Sequence, residues 1–225
     1  MSAVPSSARE RILARLRASQ AVRPLHVNPS TETEREWLAR QPPIGELAER
    51  FIHEQQATGG EVRRAAGWAA LPALLPAWLA EAGVQRVITG TEPRLEPLRA
   101  ALAADGRFAL GRYDRPVEAQ RGELFAADCG ITTCRGAIAE TGSLILVPTP
   151  EEPRLLSLAP ALHLAIVERA ALHATLADFI AGGSYQAELP SNLVLVSGAS
   201  RTADIELVLA IGVHGPKRLL VALVE

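Results

Sequence analysis

The sequence predicts an α/β fold: an open, mostly parallel sheet flanked by helices, with a helical arm before it. Beyond residue 60, short apolar runs alternate with helical periodicity, and strands that alternate with helices favour parallel pairing. The chain has 225 residues, 48% hydrophobic and 21% charged, which is ordinary for a globular protein with a sizeable core. Length alone slightly favours one large domain. Because the periodicity changes beyond residue 60, we expect an arm or cap over residues 1–60 and an α/β domain over residues 61–225.

Helical spacing predicts the elements of the arm. Residues 6–19 place apolar side chains on one stripe and arginines on the other. Thr31 and Glu34 form a capping box that opens a second helix. Residues 44–56 repeat apolar side chains at helical intervals, and a glycine pair then ends the arm.

The α/β region follows in order. Helices are predicted over residues 71–82, 94–104 and 170–181. Strands are predicted over residues 85–89, 108–111, 124–127, 143–147, 163–167, 193–196 and 218–224.

Charge and composition argue against two classes of partner. Lys and Arg total 23 against 25 Asp and Glu, and four Phe, two Tyr and three Trp leave few rings for base stacking. We therefore expect no nucleic-acid binding. The start lacks a signal-peptide core, and the apolar run over residues 69–80 is short and broken by Pro72 and Pro76. We therefore expect a cytoplasmic protein without membrane insertion.

The two cysteines, Cys129 and Cys134, are too few to hold an iron–sulfur cluster, which takes about four thiolates. A structural zinc site would need histidines placed nearby. We expect reduced, non-ligating thiols and no cofactor bound by this chain. A redox role stays open if Cys129 is exposed.

Three clusters of small residues, at 139–143, 197–206 and 212–217, carry polar side chains at the ends of strand-like runs. Ligands of open α/β sheets bind outside the carboxyl ends of the strands. We therefore expect the clusters to face one cleft, although each also suits an unrelated turn. The predicted binding residues are Thr141, Gly142, Ser143, Gly198, Ser200, Arg201, Thr202, Asp204 and Gly215, and the predicted catalytic residues are Glu140 and His214.

The cluster around Arg201 has the residue types of an anion site. A small-residue loop between a strand and an expected helix presents backbone amides at the positive end of the helix dipole. Ser200 and Thr202 add hydroxyl donors, and Arg201 can clamp a carboxylate or phosphate. The same residue types also serve as helix caps and solvated surface, so both interpretations stay open.

Glu140 and His214 have catalytic potential. Glu140 suits a general base, a carboxylate nucleophile, or a carboxylate that only fixes its turn. His214 lies in a polar, glycine-flanked turn, which suits a general acid or base. His163 opens an apolar run, which favours a hydrogen-bonded core histidine.

Four ordered motifs between about Asp128 and Glu225 resemble the lactate-utilisation protein C family, the LUD-domain proteins. They are Gly-Ala-Ile-Ala-Glu-Thr-Gly-Ser at 136–143, Leu-Ser-Leu-Ala-Pro at 156–160 leading to His163, Ser-Gly-Ala-Ser-Arg-Thr-Ala-Asp-Ile-Glu at 197–206, and Gly-Val-His-Gly-Pro-Lys at 212–217. The chain departs from the family pattern at Ala199, where proline is usual.

The resemblance implies a fold like that of the sugar-phosphate isomerase and CoA-transferase superfamily. It implies a role in oxidising L-lactate to pyruvate, with iron–sulfur clusters on partner subunits. This chain would then bind a small carboxylate or organise those partners. Two alternatives stay open: an acyl or CoA transferase that uses Glu140 as nucleophile, by similarity to the glutamate of CoA-transferases, and a regulatory module that senses a metabolite.

Overall fold

The structure is a computed structural model that describes residues 9, 12–15, 46–182, 190, 192–203, 209–212 and 214–225. The chain divides into two compact units, Met1–Pro43 and Ile44–Glu225. In the first unit, the described residues 9 and 12–15 are helical and exposed. The predicted helix that opens at Thr31 lies outside the described residues.

The described part of the second unit contains helices and strands in the order expected of an α/β protein. The helices are α1 (Leu47–Ala57), α2 (Leu71–Glu81), α3 (Glu96–Asp105), α4 (Val117–Ala126) and α5 (Leu176–Ala181). The strands are β1 (Glu61–Ala65), β2 (Arg86–Thr89), β3 (Ala109–Arg112), β4 (Cys129–Thr133), β5 (Gly136–Ile138), β6 (Ser143–Leu146), β7 (Leu162–Glu168), β8 (Leu172–His173), β9 (Val194–Val196), β10 (Arg201–Ala203), β11 (Leu209–Ile211) and β12 (Arg218–Val224).

The strands form three sheets. The large sheet has six parallel strands in the order β1-β12-β7-β4-β2-β3. The small sheet has the order β8-β5-β6-β9, in which β6 pairs antiparallel with both neighbours. Strands β10 and β11 form an antiparallel hairpin. The predicted α/β fold with a mostly parallel sheet is therefore confirmed.

Both faces of the large sheet are covered, which explains its continuous apolar strands. Leu164 and Ile166 of β7 face one side, in a cluster that also contains buried leucines of α2 and α3. Ala165 and Val167 alternate to the other side and join Phe51 of α1 and apolar residues of the small sheet. The small sheet and α1 therefore share one face of the large sheet.

Helix α1 lies in the second unit, although the sequence prediction grouped residues 44–56 with the arm. Its side chains Ala48 and Phe51 are 1% and 0% exposed, so the helix is part of the core. None of the helices in the described ranges is long and apolar enough to span a membrane.

Several local predictions were wrong. Residues 124–127 were predicted as a strand, but Leu124 is a buried residue of α4. The predicted helix over 170–181 is confined to α5, because residues 169–171 form a 3-10 turn and β8 follows it. The expected helix after Ser200 is also wrong, since Arg201–Ala203 pair with Leu209–Ile211.

Candidate functional site

A cleft of about 490 Å³ opens near the amino ends of β7 and β12. Residues from three of the four sequence motifs line it, and we therefore call it the motif cleft. Its lining residues are Thr58, Ser157, Leu158, His163, Val194 to Arg201, His214, Gly215, Pro216 and Leu219.

Hydrogen bonds between loops bring the motifs together. The backbone N–H of Ser200 donates to Pro216 O over 2.9 Å, and that of Gly212 donates to Ser200 O over 2.9 Å. The first motif adjoins the cleft because the Ser143 and Ser197 hydroxyl oxygens lie 2.6 Å apart. Pairing of β6 with β9 in the small sheet sets this approach.

The last turn of α1 supports the turn at Gly142 and the turn that follows Val196. Gln55 Nε2 donates to Gly142 O over 2.6 Å and to Val196 O over 3.5 Å. Gly198 has φ +85°, and a Cβ there would lie 2.4 Å from Thr58 O, so the turn requires glycine. The cleft wall is therefore built against the end of α1.

Arg201 has a structural partner as well as a place in the cleft. Its Nη2 donates to Thr58 O, the carbonyl just after α1, over 2.7 Å. A cation at a helix C-terminus interacts favourably with the helix dipole. Arg201 therefore joins the hairpin to α1 and brings positive charge to the cleft.

His163 forms part of the cleft lining although its residue is only 1% exposed. Its Nε2 lies 2.8 Å from Thr132 Oγ1 on the neighbouring strand β4. Burial lowers the pKa of His163 to about 4, so the ring is neutral at physiological pH. The prediction of a hydrogen-bonded core histidine is confirmed.

The structure brings some of the predicted site residues together and leaves others apart. Gly198, Ser200, Arg201, His214 and Gly215 line the motif cleft. Six predicted residues lie outside the lining. Glu140 is half-buried in the β5–β6 turn, the hydroxyl of Thr141 bonds that of Ser143, and Gly142 lies against α1. Ser143 is buried at the start of β6, Thr202 lies in β10, and Asp204 lies outside the described residues.

The expected position of the clusters relative to the parallel sheet was wrong. They were expected at the carboxyl ends of its strands, whereas the motif cleft adjoins His163 and Leu219, near the amino ends of β7 and β12. The reason is that β6 and β9 belong to the small sheet. The catalytic and binding roles assigned to the motif residues stay predictions.

A second cleft, of about 480 Å³, lies at the carboxyl ends of β2, β4 and β7. We call it the carboxyl-edge cleft. The strand order reverses between β2 and β4, which makes this a topological switch point, where ligands of parallel sheets commonly bind. Its lining residues are Glu92, Arg94, Thr133, Cys134, Arg135, Val147, Thr149, Glu152, Glu168, Ala170 and Ala171.

Glu152 is a partly buried titratable residue of this cleft that the sequence did not single out. Its carboxylate accepts hydrogen bonds from both the backbone N–H and the hydroxyl of Thr133. Burial raises the pKa of Glu152 despite these bonds, and the nearby charge of Glu92 adds to the rise. A signal was present, because acidic residues stand between prolines directly after the predicted strand over 143–147.

Both cysteines are free thiols. Cys129 is 0% exposed, and burial raises its pKa to about 12. A redox role required an exposed Cys129, so the structure does not meet that condition. Cys134 lines the carboxyl-edge cleft, and burial also raises the pKa of its thiol. Within the described ranges, no group of three or more His, Cys, Asp or Glu side chains is placed to hold a metal ion.

The fold is that of an α/β protein in which a small mixed sheet packs against one face of a parallel sheet. The LUD domain family matches residues 48–224, and the chain belongs to this family. A solved structure of a DUF162 family protein from Deinococcus radiodurans has a similar fold. It matches with a TM-score of 0.60 and 22% identity, covering 82% of this chain and 100% of that chain.

Two relatives show the extent of sequence similarity. An uncharacterised protein from Neisseria meningitidis is 37% identical over 125 residues, covering 55% of this chain and 53% of the relative. Lactate utilization protein C from Deinococcus radiodurans is 39% identical over 103 residues, covering 45% of this chain and 49% of the relative. The chain thus spans about half the length of these relatives.

Proposed function

We propose that this chain is a non-redox subunit of a lactate-oxidising system and binds a small carboxylate in the motif cleft. Membership of the LUD domain family and the relatives named Lactate utilization protein C support a link to lactate use. The observation that carries the proposal is the convergence of three motifs on one cleft.

The charge around the motif cleft favours an anion. Arg201 and His214 line it, whereas no carboxylate belongs to the described residues that do so. Among the contacts between described residues, Arg201 uses one of its donor groups on Thr58 O, and a guanidinium has five N–H donors. Further donors are therefore left for a carboxylate.

Oxidation of lactate to pyruvate releases electrons that need an acceptor. Following the family resemblance, we assign the iron–sulfur clusters to partner subunits in the cytoplasm. The two cysteines of this chain fit that assignment, since a cluster takes about four thiolates. In this division of labour, the chain holds the organic acid or organises the subunits that carry the electrons.

Calorimetric titration of the purified chain with L-lactate and pyruvate tests the carboxylate site. Arg201→Ala should weaken binding by roughly 1.5–3 kcal/mol, the usual worth of a hydrogen bond to a charged group. Arg201→Lys should recover only part of it, because an ammonium cannot reproduce the planar fork. Arg107→Ala is the matched control, since Arg107 pairs with Asp105 outside the cleft. Unchanged affinity in Arg201→Ala would place the anion elsewhere.

Turnover assays separate the proposal from its alternatives. Lactate-dependent reduction of a dye only after iron–sulfur subunits are added would support it. Acyl exchange between CoA and an acyl-CoA by the isolated chain, lost in Glu140→Gln, would favour a transferase. Ligand binding without turnover in either assay would favour a metabolite sensor.

A further inference from the structure

We infer that His163 is a specificity-determining residue of the motif cleft, where it recognises the oxygen on the second carbon of a bound acid. The cleft would then select 2-hydroxy and 2-oxo acids over unsubstituted carboxylic acids. This inference rests on the proposed binding of a small carboxylate in the same cleft.

His163 is one of two buried polar side chains in the described cleft lining; the other, Ser157, donates its hydroxyl to Arg154 O. Leu219 is its register partner on β12, and both residues line the cleft together with Leu158 and Pro216. Small-molecule sites commonly combine apolar walls with a few placed polar groups that fix the ligand's orientation. A polar ring set among apolar neighbours is such a group.

In the described cleft lining, no negative charge stabilises a protonated His163. The ionisable side chains of the described cleft lining are Arg201 and His214, which are cationic or neutral, and Thr132 on β4 is uncharged. Burial keeps the imidazole neutral above its pKa of about 4. His163 therefore acts on a ligand through hydrogen bonding and not through charge.

A neutral imidazole has one donor nitrogen and one acceptor nitrogen. With Nε2 bonded to Thr132, Nδ1 is the ring's second polar atom. A threonine hydroxyl can donate or accept, so the pair can present Nδ1 either as an N–H donor or as an acceptor. Nδ1 can thus donate to a keto oxygen or accept from a hydroxyl, which suits both members of a hydroxy-acid and keto-acid pair.

This arrangement divides recognition between two parts of the cleft. Arg201 is exposed and offers positive charge to the carboxylate, and the exposed His214 lines the same part of the cleft. His163 is buried and offers a hydrogen bond to the neighbouring oxygen. Thr132 acts as a positioning residue, because its hydroxyl bonds Nε2 and can pair with either tautomer of the ring.

Calorimetric titration with L-lactate, pyruvate and propionate at pH 7.5 tests the inference, because propionate lacks the second-carbon oxygen. The wild type should bind lactate and pyruvate more tightly than propionate by roughly 2- to 10-fold, the range of one hydrogen bond. His163→Asn should remove most of this preference. His53→Asn, which changes an exposed histidine on α1, should keep it.

Variants of Thr132 keep the test decisive if the His163 substitution fails to fold. Thr132→Val should change the ratio of lactate to pyruvate affinity, and Thr132→Ser, which keeps the hydroxyl, should restore the wild-type ratio. Equal binding of all three acids by a wild type that still depends on Arg201 would overturn the inference and leave the carboxylate proposal standing. Failure of all three acids to bind would reject both.

Discussion

The motif cleft and the carboxyl-edge cleft lie toward opposite edges of the parallel sheet and are similar in volume, at about 490 and 480 Å³. Their charges differ. The described lining of the motif cleft carries Arg201 and His214 without a carboxylate. That of the carboxyl-edge cleft carries glutamates and arginines together, and Arg94 is ion-paired with Glu168 and stacked on Trp68.

Sheet membership decides where a loop faces. The carboxyl-edge cleft follows the rule for parallel sheets, because its residues come from the ends of β2, β4 and β7. The motif cleft is built mainly by loops of the small sheet and hairpin, folded over the face that contains His163.

Helix α1, which supports the motif cleft, should contribute far more to stability than the exposed face of α4 does. Phe51→Ala removes a fully buried ring of the cluster that joins α1 to the small sheet, and should lower the free energy of unfolding by about 3–5 kcal/mol. Phe125→Ala, at a ring that is 58% exposed on α4, should cost within about 0.5 kcal/mol. Urea unfolding measures both, and equal losses would contradict this account of the core.

His163 should give the protein a sensitivity to acid that originates in the motif cleft. Its pKa falls from 6.5 in the unfolded chain to about 4 in the fold, so the unfolded state binds the proton first as pH drops. The stability present above pH 6.5 should therefore be lost between pH 6.5 and 4, by about 3 kcal/mol at 1.36 kcal/mol per unit. Urea titrations across this range should show a smaller loss in His163→Asn and the wild-type loss in His53→Asn. A wild-type slope in His163→Asn would assign the acid sensitivity to another group.

Alanine substitutions at two glycines with similar φ angles distinguish backbone strain from steric crowding. Gly198 and Gly106 have φ of +85° and +75°, but only at Gly198 would a Cβ meet another atom, Thr58 O at 2.4 Å. Gly106→Ala should cost roughly 1–2 kcal/mol, the strain of the left-handed region. Gly198→Ala should cost more and also weaken carboxylate binding, as urea unfolding and calorimetry would show. Equal losses of stability would mean that a Cβ at position 198 is not crowded by Thr58 at the end of α1.

The smallest effect is expected from Glu152 in the carboxyl-edge cleft, with the opposite pH dependence. Its pKa is raised above 4.5, so the folded protein holds this proton to higher pH than the unfolded chain does. The stability from this group is full below pH 4.5 and declines as pH rises through the folded value. Glu152→Gln should therefore gain stability relative to the wild type between pH 5 and 8 by urea unfolding. Glu118→Gln, on the exposed surface of α4, is the control. An equal gain of stability in Glu118→Gln would mean that the effect comes from the net surface charge and not from the burial of Glu152.

Much of the large sheet could be predicted, because a strand buried on both faces is a continuous apolar run. Residues 163–167 and 218–224 have this pattern, and they lie in the neighbouring interior strands β7 and β12. Strand β4 was missed, since Cys-Gly-Ile-Thr-Thr contains no such run. Its Gly130 leaves room for Leu156 O, and its Thr132 binds His163. Local rules commonly fail where residues serve a site instead of the core.

The candidate site was predictable in composition but not in position. The strands over 143–147 and 193–196 were expected and are present as β6 and β9, yet local periodicity does not reveal that they pair with each other. A short apolar run also fits strand and helix alike, which explains the error at residues 124–127. Partner choice depends on contacts distant in sequence.

Gln55 shows how one side chain can limit the evolution of two loops. Its amide donates to Gly142 O and to Val196 O, which belong to segments separated by a long stretch of sequence. A substitution at this position removes a buried donor from both carbonyls at once. Members of the family that have lost this amide should therefore also carry altered turns at both positions, so that the three sites vary together or not at all.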